Sequence, residues 1–517
     1  MQNVSNPFAN FKYDLPSSLV VFLVALPLCL GIALASGAPM FAGIIAGIVG
    51  GIVVGSLSGS NLSVSGPAAG LTTIVIAAIH DLGTFQAFLC AVVIGGALQF
   101  VLGLVRAGSI GHFFPAAVIK GMLSAIGLIL ILKQIPHAFG WDRDYEGDES
   151  FVQSDGENTF TELFHTLDFV TPGAIVIGLT SIIILVLWDK PFLKRYKFFQ
   201  MVPGPLVVVF TGVVLNVLFG YLSPTLAVRQ EHLVSLPVAG TLRDFAGFLS
   251  FPDLSNLNNP KVYTVAVTLA LVASLESLLS IEAADKLDEF KRITNLNREL
   301  RAQGVGNIVS GLIGGLPVTA VIVRTSANIN AGARTKLSTV VHGGFLLLSV
   351  AFIPTVLNLI PLSALAGILI MTGYKLTKPA LYREMYKKGW SQFLPFIITI
   401  IAILLTNLLV GIFIGIVVGL SFVLYSNFRE AIAVVKHDNN YLLRLNKDVT
   451  FLNKAVLRQT FERIPKGANL IIDGGASQFI DADIVETIQD FVLNAPNRNI
   501  QVEVKKSHSS VNEFFRK

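Results

Sequence analysis

The feature that most constrains this chain is a series of uninterrupted apolar stretches, each long enough to cross the roughly 30 Å of hydrocarbon in a bilayer. They lie near residues 18–36, 41–58, 86–105, 116–135, 172–188, 204–221 and 262–281, and again near 336–354, 355–373, 393–409 and 410–426. Three shorter segments, near 62–79, 302–314 and 316–330, are apolar but interrupted by Gly or Pro. Counting these as crossings gives about fourteen. The first stretch follows a long region holding both Lys12 and Asp14, and many similar stretches come after it. It therefore reads as a retained span and not as a cleaved leader.

Loop charges order the crossings, because cytoplasmic loops are enriched in Lys and Arg. Residues 137–171 carry nine acidic residues, from Asp142 to Asp168, against the single basic Arg143, which assigns this loop to the outside. Lys190, Lys194, Arg195 and Lys197 then fall inside. So do Lys286, Lys291, Arg292, Arg298 and Arg301, and later Lys375, Lys378, Arg383, Lys387 and Lys388, provided the three interrupted segments also cross. Both termini are then expected in the cytoplasm, with the protein in the plasma (inner) membrane.

Charged residues make up 14% of the chain and hydrophobic ones 53%, so its net charge of +5 points to basic loops on a membrane protein, not to a nucleic-acid surface. Cys29 and Cys90, the two cysteines, lie inside apolar stretches and offer neither a disulfide framework nor a metal site. There is no phosphate-binding G-x-x-x-x-G-K-[ST] loop and no H-E-x-x-H pair. Nothing here suggests an enzyme, a catalytic residue or a bound cofactor. His80, His112 and His137 read as interfacial. Gly43, Gly47, Gly51 and Gly55, and then Gly411, Gly415 and Gly419, recur every fourth residue, a spacing that lets helices within one bundle pack closely.

From Lys436 the composition becomes that of a soluble domain. Tyr441–Phe451 alternates like a strand, Leu452–Ile464 has helical periodicity, Asn469–Ile472 is a short apolar strand, Ala482–Leu493 an amphipathic helix and Ile500–Val504 another strand. The expected organisation is a membrane domain over 1–430, with halves at about 15–221 and 260–428, and a small cytoplasmic α/β domain over 436–517.

Two interrupted segments carry the chemistry: Ser63-Val64-Ser65-Gly66-Pro67-Ala68-Ala69-Gly70, and Gly314-Gly315-Leu316-Pro317 leading to Val323-Arg324-Thr325-Ser326. If each half has seven crossings, each segment is the third of its half and the halves are inverted. Paired broken helices at equivalent positions mark a transporter site at the bilayer midplane. Their N-terminal ends present unpaired N–H groups and a positive dipole, which suits an anion. Pro67 fits the first turn of a helix, and Thr319–Val323 a short strand before a helix starting near Arg324. An intramembrane Arg costs at least about 2.5 kcal/mol on insertion scales, so Arg324 must face protein, water or a ligand. Glu276, within Ala273-Ser274-Leu275-Glu276-Ser277-Leu278-Leu279-Ser280, could neutralise Arg324, carry a proton, or bind Na⁺ with Ser280 one turn away.

The chain resembles the SulP family of inorganic anion transporters over about Asn10 to Val502. The likeness rests on Ala25-Leu26-Pro27, on Ser63 to Pro67, and on Asn297-Arg298-Glu299-Leu300-Arg301-Ala302-Gln303-Gly304-Val305-Gly306-Asn307. It continues through Gly314 to Pro317, Arg324-Thr325 and Gly332-Ala333-Arg334-Thr335. What the resemblance implies is an all-α polytopic fold of about 14 segments in a 7+7 inverted repeat, with core and gate domains like those of uracil transporters. A cytoplasmic STAS domain and a homodimer are implied too. Carried over by position, the site comprises Leu28, Ile32, Ser65, Gly66, Ala68, Ala69, Val323 and Arg324, with Glu276 and Ser280 matching a Na⁺ site of bicarbonate-transporting members. Many members have Gln where Leu28 stands and Ser where Val323 stands, so this pocket leans on backbone amides and Arg324. Sulfate and bicarbonate therefore compete as the carried anion.

The implied activity is secondary active transport of a small inorganic anion, coupled to H⁺ or Na⁺, by an elevator-like step. An uncoupled anion channel or exchanger, and a nucleobase:cation symporter on the same fold, are the alternatives. Leu470-Ile471-Ile472-Asp473 and Phe479-Ile480-Asp481-Ala482-Asp483 resemble a STAS domain, with Asp483 near the position where regulatory members carry a phosphorylatable Ser. The STAS-like domain is expected to serve folding and dimerisation, with a cytoplasmic partner as the alternative.

Overall fold

The structure, a computed structural model, describes residues 10–142, 151, 158–166, 169–196, 199, 202–223, 226–236, 238, 247–477 and 479–505. Arg143, Asp144, Glu146, Asp148, Glu149, Asp155, Glu157, Asp168 and Lys197, used above to orient the loops, lie outside these residues. The chain divides into two compact units, Met1–Ile416 and Val417–Lys517.

The first unit is helical. In chain order its main helices are α1 (Phe11–Ala35), α2 (Met40–Leu57), α3 (Thr72–Leu82), α4 (Phe85–Leu104), α5 (Ala116–Phe139), α6 (Pro172–Trp188) and α7 (Gly204–Leu222). They continue as α8 (Pro260–Leu287), α9 (Leu296–Leu312), α10 (Ile322–Asn330), α11 (Leu337–Phe352), α12 (Leu362–Leu376) and α13 (Trp390–Leu405), with α14 (Leu408–Glu430) starting in this unit. Every stretch singled out in the sequence overlaps at least one of these helices. Among the described residues six, α1, α2, α4, α5, α7 and α8, are long and apolar enough to cross a bilayer unaided.

The interrupted segments fold as the breaks suggest. Helices α3 and α10 have 11 and 9 residues, a rise of about 14–17 Å, or half a bilayer. Each is preceded by a three-residue strand, β1 (Ser65–Pro67) and β2 (Val318–Ala320). These strands pair antiparallel, with Ser65 opposite Ala320, Gly66 opposite Thr319 and Pro67 opposite Val318. Pro67 is thus the end of a strand and not the first turn of a helix. Lacking an N–H, it is tolerated at the last pair of a two-stranded ribbon, and its neighbour Val318 sends its own N–H to Asn307 Oδ1 at 2.6 Å. Helix α10 begins at Ile322, two residues earlier than expected, so Arg324 stands inside its first turn.

The glycine ladders pack helices of the same chain. A Cβ on Gly43 would stand 1.8 Å from the Cys29 carbonyl oxygen on α1, and one on Gly51 2.6 Å from Gly343 Cα on α11. At Gly415 a Cβ would lie 2.0 Å from Thr399 Oγ1 on α13. Where Gly50 meets the Ser65 carbonyl, α2 widens into a π-helical turn over Gly50–Val54. Such bulges absorb a residue at close contacts.

The second unit contains a four-stranded sheet in the order β3 (Ile432–His437), β4 (Asn440–Leu445), β5 (Asn469–Asp473), β6 (Gln501–Lys505), antiparallel at the first pair and parallel at the others. Helices α15 (Lys454–Glu462) and α16 (Ala482–Asn494) cover it, burying Leu443, Leu457, Phe461, Leu470, Ile472, Ile484 and Ile488. Strand β3 begins at Ile432, before the composition change at Lys436, because the β-branched, apolar Ile432-Ala433-Val434-Val435 follows the polar break at Arg429-Glu430.

Candidate functional site

The two half-helices diverge from the paired strands towards opposite faces of the bundle. The end of α10 is tied to the start of α1, where Ser17 Oγ donates to the Ala331 carbonyl at 3.0 Å. Helix α3 lies against the other end of α1, where Ile76 meets Gly37. Neither half-helix has a side-chain cap: α3 is entered through the tight turn Ala69–Leu71 and α10 through the extended Val321. Their first-turn N–H groups and positive dipole ends therefore remain available near the strand crossing.

Arg324 fills this crossing. It is fully buried, its Nη2 donates weakly to the Pro67 carbonyl at 3.4 Å, and its Nε and Nη1 have no hydrogen-bond partner. Gly66 makes room for it, since a Cβ there would lie 2.0 Å from Nη1. Cys29 on α1 is a neighbour of the guanidinium, and His342 on α11, itself fully buried, feels its charge. A buried cation with two idle donor nitrogens calls for a counter-charge.

Glu276 on α8 is 7% exposed and rests against Gly70, where a Cβ would stand 2.9 Å from its Oε1. One residue on, Ser277 Oγ accepts the Ala320 N–H at 3.2 Å, so the same helix supports β2. Ser280 is buried one turn further along α8. The structure thus places Ser65, Gly66, Ala68 and Ala69 across the strand pair from Val323 and Arg324. Leu28 and Ile32 lie on α1, which packs against both β1 and α10 and shares a buried apolar cluster with Ala68 and Val323. Glu276 adjoins Gly70 while Arg324 adjoins Gly66, four residues apart on one segment. Among the described residues no group of His, Cys, Asp and Glu is arranged for a metal ion.

Two cavities approach α1 from its two ends. One of about 330 Å³ is lined by Pro16, Val20, Ala327, Asn330 and Lys375, the other, of about 210 Å³, by Pro27, Gly31, Met40, Asp142 and Leu362.

Sequence reasoning missed the residues that hold the crossing in shape. Asn307 accepts from the Val318 N–H and donates to the Val318 carbonyl at 3.0 Å and to Gln99 Oε1 at 2.8 Å. Gln303 Nε2 donates to Ser65 Oγ at 2.8 Å and to Glu299 Oε1 at 2.9 Å, and Glu299 in turn accepts from Ser58 and the Gly59 N–H. Glu299, Gln303 and Asn307 recur every fourth residue on one face of α9, a signal that could have been read. At the base, buried Asp14 accepts from the Arg334 and Thr335 N–H groups at 2.7 and 3.0 Å. His80 and His112 are solvent-accessible, and His137, in the last turn of α5, is buried within the protein, 2.5 Å from Asp142.

Residues 11–402 match the model of the sulfate permease family. YvdB of Bacillus subtilis is 28% identical over 368 residues, covering 71% of this chain and 65% of that protein. The bicarbonate transporter BicA of a Picosynechococcus species is also 28% identical, over 71% of this chain and 62% of its own length. The chain therefore spans slightly under two thirds of these relatives. The solved transmembrane domain of a cyanobacterial BicA superposes with a TM-score of 0.55 at 24% identity, covering 80% of this chain and 98% of that one. Murine Solute Carrier 26 family member A9, in its inward-facing state, gives 0.67 at 14% identity, covering 97% of this chain and 86% of that one.

Proposed function

Because the chain belongs to the sulfate permease family, we propose that it carries a small inorganic oxyanion, sulfate or bicarbonate, across the membrane by secondary active transport. The observation that bears most of this reading is Arg324: a fully buried guanidinium with idle Nε and Nη1, beside two uncapped half-helix ends. Together these supply positive potential and N–H donors where water is excluded, which is what a dehydrated anion needs. Ser65, Gly66, Ala68 and Ala69 would approach the anion with backbone, Leu28, Ile32 and Val323 would close the pocket with apolar surface, and Arg324 would supply charge.

Glu276 is the proposed coupling group, with Ser280 as its partner if the coupled ion is Na⁺. Its carboxylate touches Gly70 at the head of α3, so its protonation or its pairing with a cation would be felt where the anion binds. The cavities at the two ends of α1 fit alternating access, with the strand-crossed core moving relative to the remaining helices. A plasma-membrane location with cytoplasmic termini, a homodimer, and a STAS-like role for the second unit complete the proposal.

The test is uptake of labelled sulfate and of labelled bicarbonate into proteoliposomes, each under imposed H⁺ and Na⁺ gradients. Gradient-driven accumulation of one of them is the expected result. Folded protein that accumulates neither anion under any gradient would defeat the proposal.

A further inference from the structure

His137, in the last turn of α5, and His232, in the segment between α7 and α8, bond one carboxylate. Their Nδ1 atoms lie 2.5 Å from Asp142 Oδ1 and 2.5 Å from Oδ2 respectively. The side chains of His137 and Asp142 are 3% and 6% exposed and that of His232 15%, so this is no solvated surface pair.

The segment carrying His232 is a strap tied at both ends. Val228 N donates to Asn216 Oδ1 on α7 at 2.8 Å, Val234 N to the Ile360 carbonyl at 2.9 Å, and Leu236 N to Asn358 Oδ1 at 2.7 Å. Its middle is held to α5 through His232 and Asp142. Strap residues Glu231 and Leu233 to Ser235 form one wall of the 210 Å³ cavity, and Pro27, Leu30, Gly31 and Leu34 of α1 form the other. Leu28 and Ile32 lie in the same two turns of α1 but on another face of the helix, so this cavity is an approach to that stretch of α1 and the strap forms its outer wall.

We propose that His137, Asp142 and His232 form a proton-operated latch that holds the strap over this approach, tight while the His232 imidazole is charged and looser when it is neutral. It rests on the transport reading above. Among the described residues, these further charges lie near the cluster. On the strap, Glu231 Oε1 is 3.6 Å from His232 Nε2 and favours its charged form, while Arg229, 3.7 Å from Glu231, opposes it. One turn back on α5, Lys133 pairs with Glu162 at 3.8 Å. The α1 wall, Met40 and Leu362 bring no titratable group.

The hydrogen bond to Asp142 raises the His232 pKa against the opposing pull of burial. For Asp142, burial raises the pKa, but the bonds to the two imidazoles outweigh it and hold the carboxyl below its usual range. The signs follow by linkage. The His232 contribution to the latch is full below the ordinary imidazole range and fades as pH rises through its raised value. The Asp142 contribution is lost only in acid well below neutrality. Across the range of an external medium, therefore, alkalinity loosens the strap.

The experiment compares full-length wild type and Asp142→Asn in proteoliposomes, taking the ratio of their sulfate and bicarbonate uptake at external pH of about 6 and about 8.5 with the lumen buffered. Any coupled gradient acts on both proteins, so the ratio isolates the latch. A charge-assisted bond lost from the closed state predicts a ratio of about 5 to 10 at the acid value, falling to within about twofold of one at the alkaline value. His232→Gln, on the strap itself, should give the same flattening without leaving a buried carboxylate changed. Hydrogen exchange of strap amides, corrected for intrinsic rates, should show pH-dependent protection in wild type and none in Asp142→Asn. A pH-independent uptake ratio, or wild-type strap protection that ignores pH, would overturn the latch. If strap protection follows pH but no protein takes up either anion, the latch stands and the transport reading falls.

Discussion

A methyl group placed on Gly66 tests whether the guanidinium of Arg324 is the charge that an anion meets. The added Cβ would lie 2.0 Å from Nη1 and 3.1 Å from Cζ. Ordinary contact needs about 3.5 Å, so the guanidinium must retreat by roughly 1.5 Å. Full burial and the bond to the Pro67 carbonyl leave it little room to rotate in place, so the retreat carries charge away from the strand crossing. For an anion about 5 Å away and an effective dielectric constant of about 20, the attraction is about 3.3 kcal/mol, and at about 6.5 Å it is about 2.6. Gly66→Ala should therefore weaken anion binding about three- to fourfold, and Arg324→Ala on the order of a hundredfold or more.

The discriminating measurement is the double-mutant cycle, read by calorimetric titration of purified protein with sulfate and bicarbonate, with thermal melts to confirm folding. On the Arg324→Ala background, Gly66→Ala should cost no further affinity, because nothing remains for the methyl group to displace. Equal losses in both backgrounds would show that Gly66 acts through its own backbone and not through Arg324. Wild-type affinity in Arg324→Ala would remove this side chain from the site altogether.

Three further outcomes are expected. Glu276→Gln should abolish the dependence of uptake on a cation gradient while leaving anion affinity within about threefold, and an unchanged gradient dependence would reassign Glu276 to structure. Asn307→Leu keeps the volume but strands the Val318 N–H, so it should destabilise the protein by about 2–4 kcal/mol in a detergent melt, and a shift near zero would mean that β2 is held by other contacts. Gly43→Ala, whose methyl would stand 1.8 Å from a backbone carbonyl oxygen on α1, should cost about 3 kcal/mol or prevent assembly, and a wild-type melt would refute close packing of α2 on α1.

What could be read from the sequence separates cleanly from what could not. Apolar stretches, their Gly and Pro interruptions, Arg324 and Glu276 each declare themselves against the solvent alone: a bilayer penalises charge and broken backbone whatever lies nearby. Glu299, Gln303 and Asn307 recur on one helix face, but that face does not name its partners, and Ser58, Ser65 and Gln99 come from distant parts of the chain. Asp14, bonded across 320 residues to Arg334, is hidden in the same way, as are Asp142 and His232, 90 residues apart. Pro67 misled because its preference for a helix start is local, whereas the strand that claims it pairs with a segment some 250 residues away. Arg324 belongs to both groups. The solvent dictates that it be enclosed, but which way its guanidinium points is decided by the missing side chain at Gly66, and that direction is what would make an enclosed charge into a place for an anion.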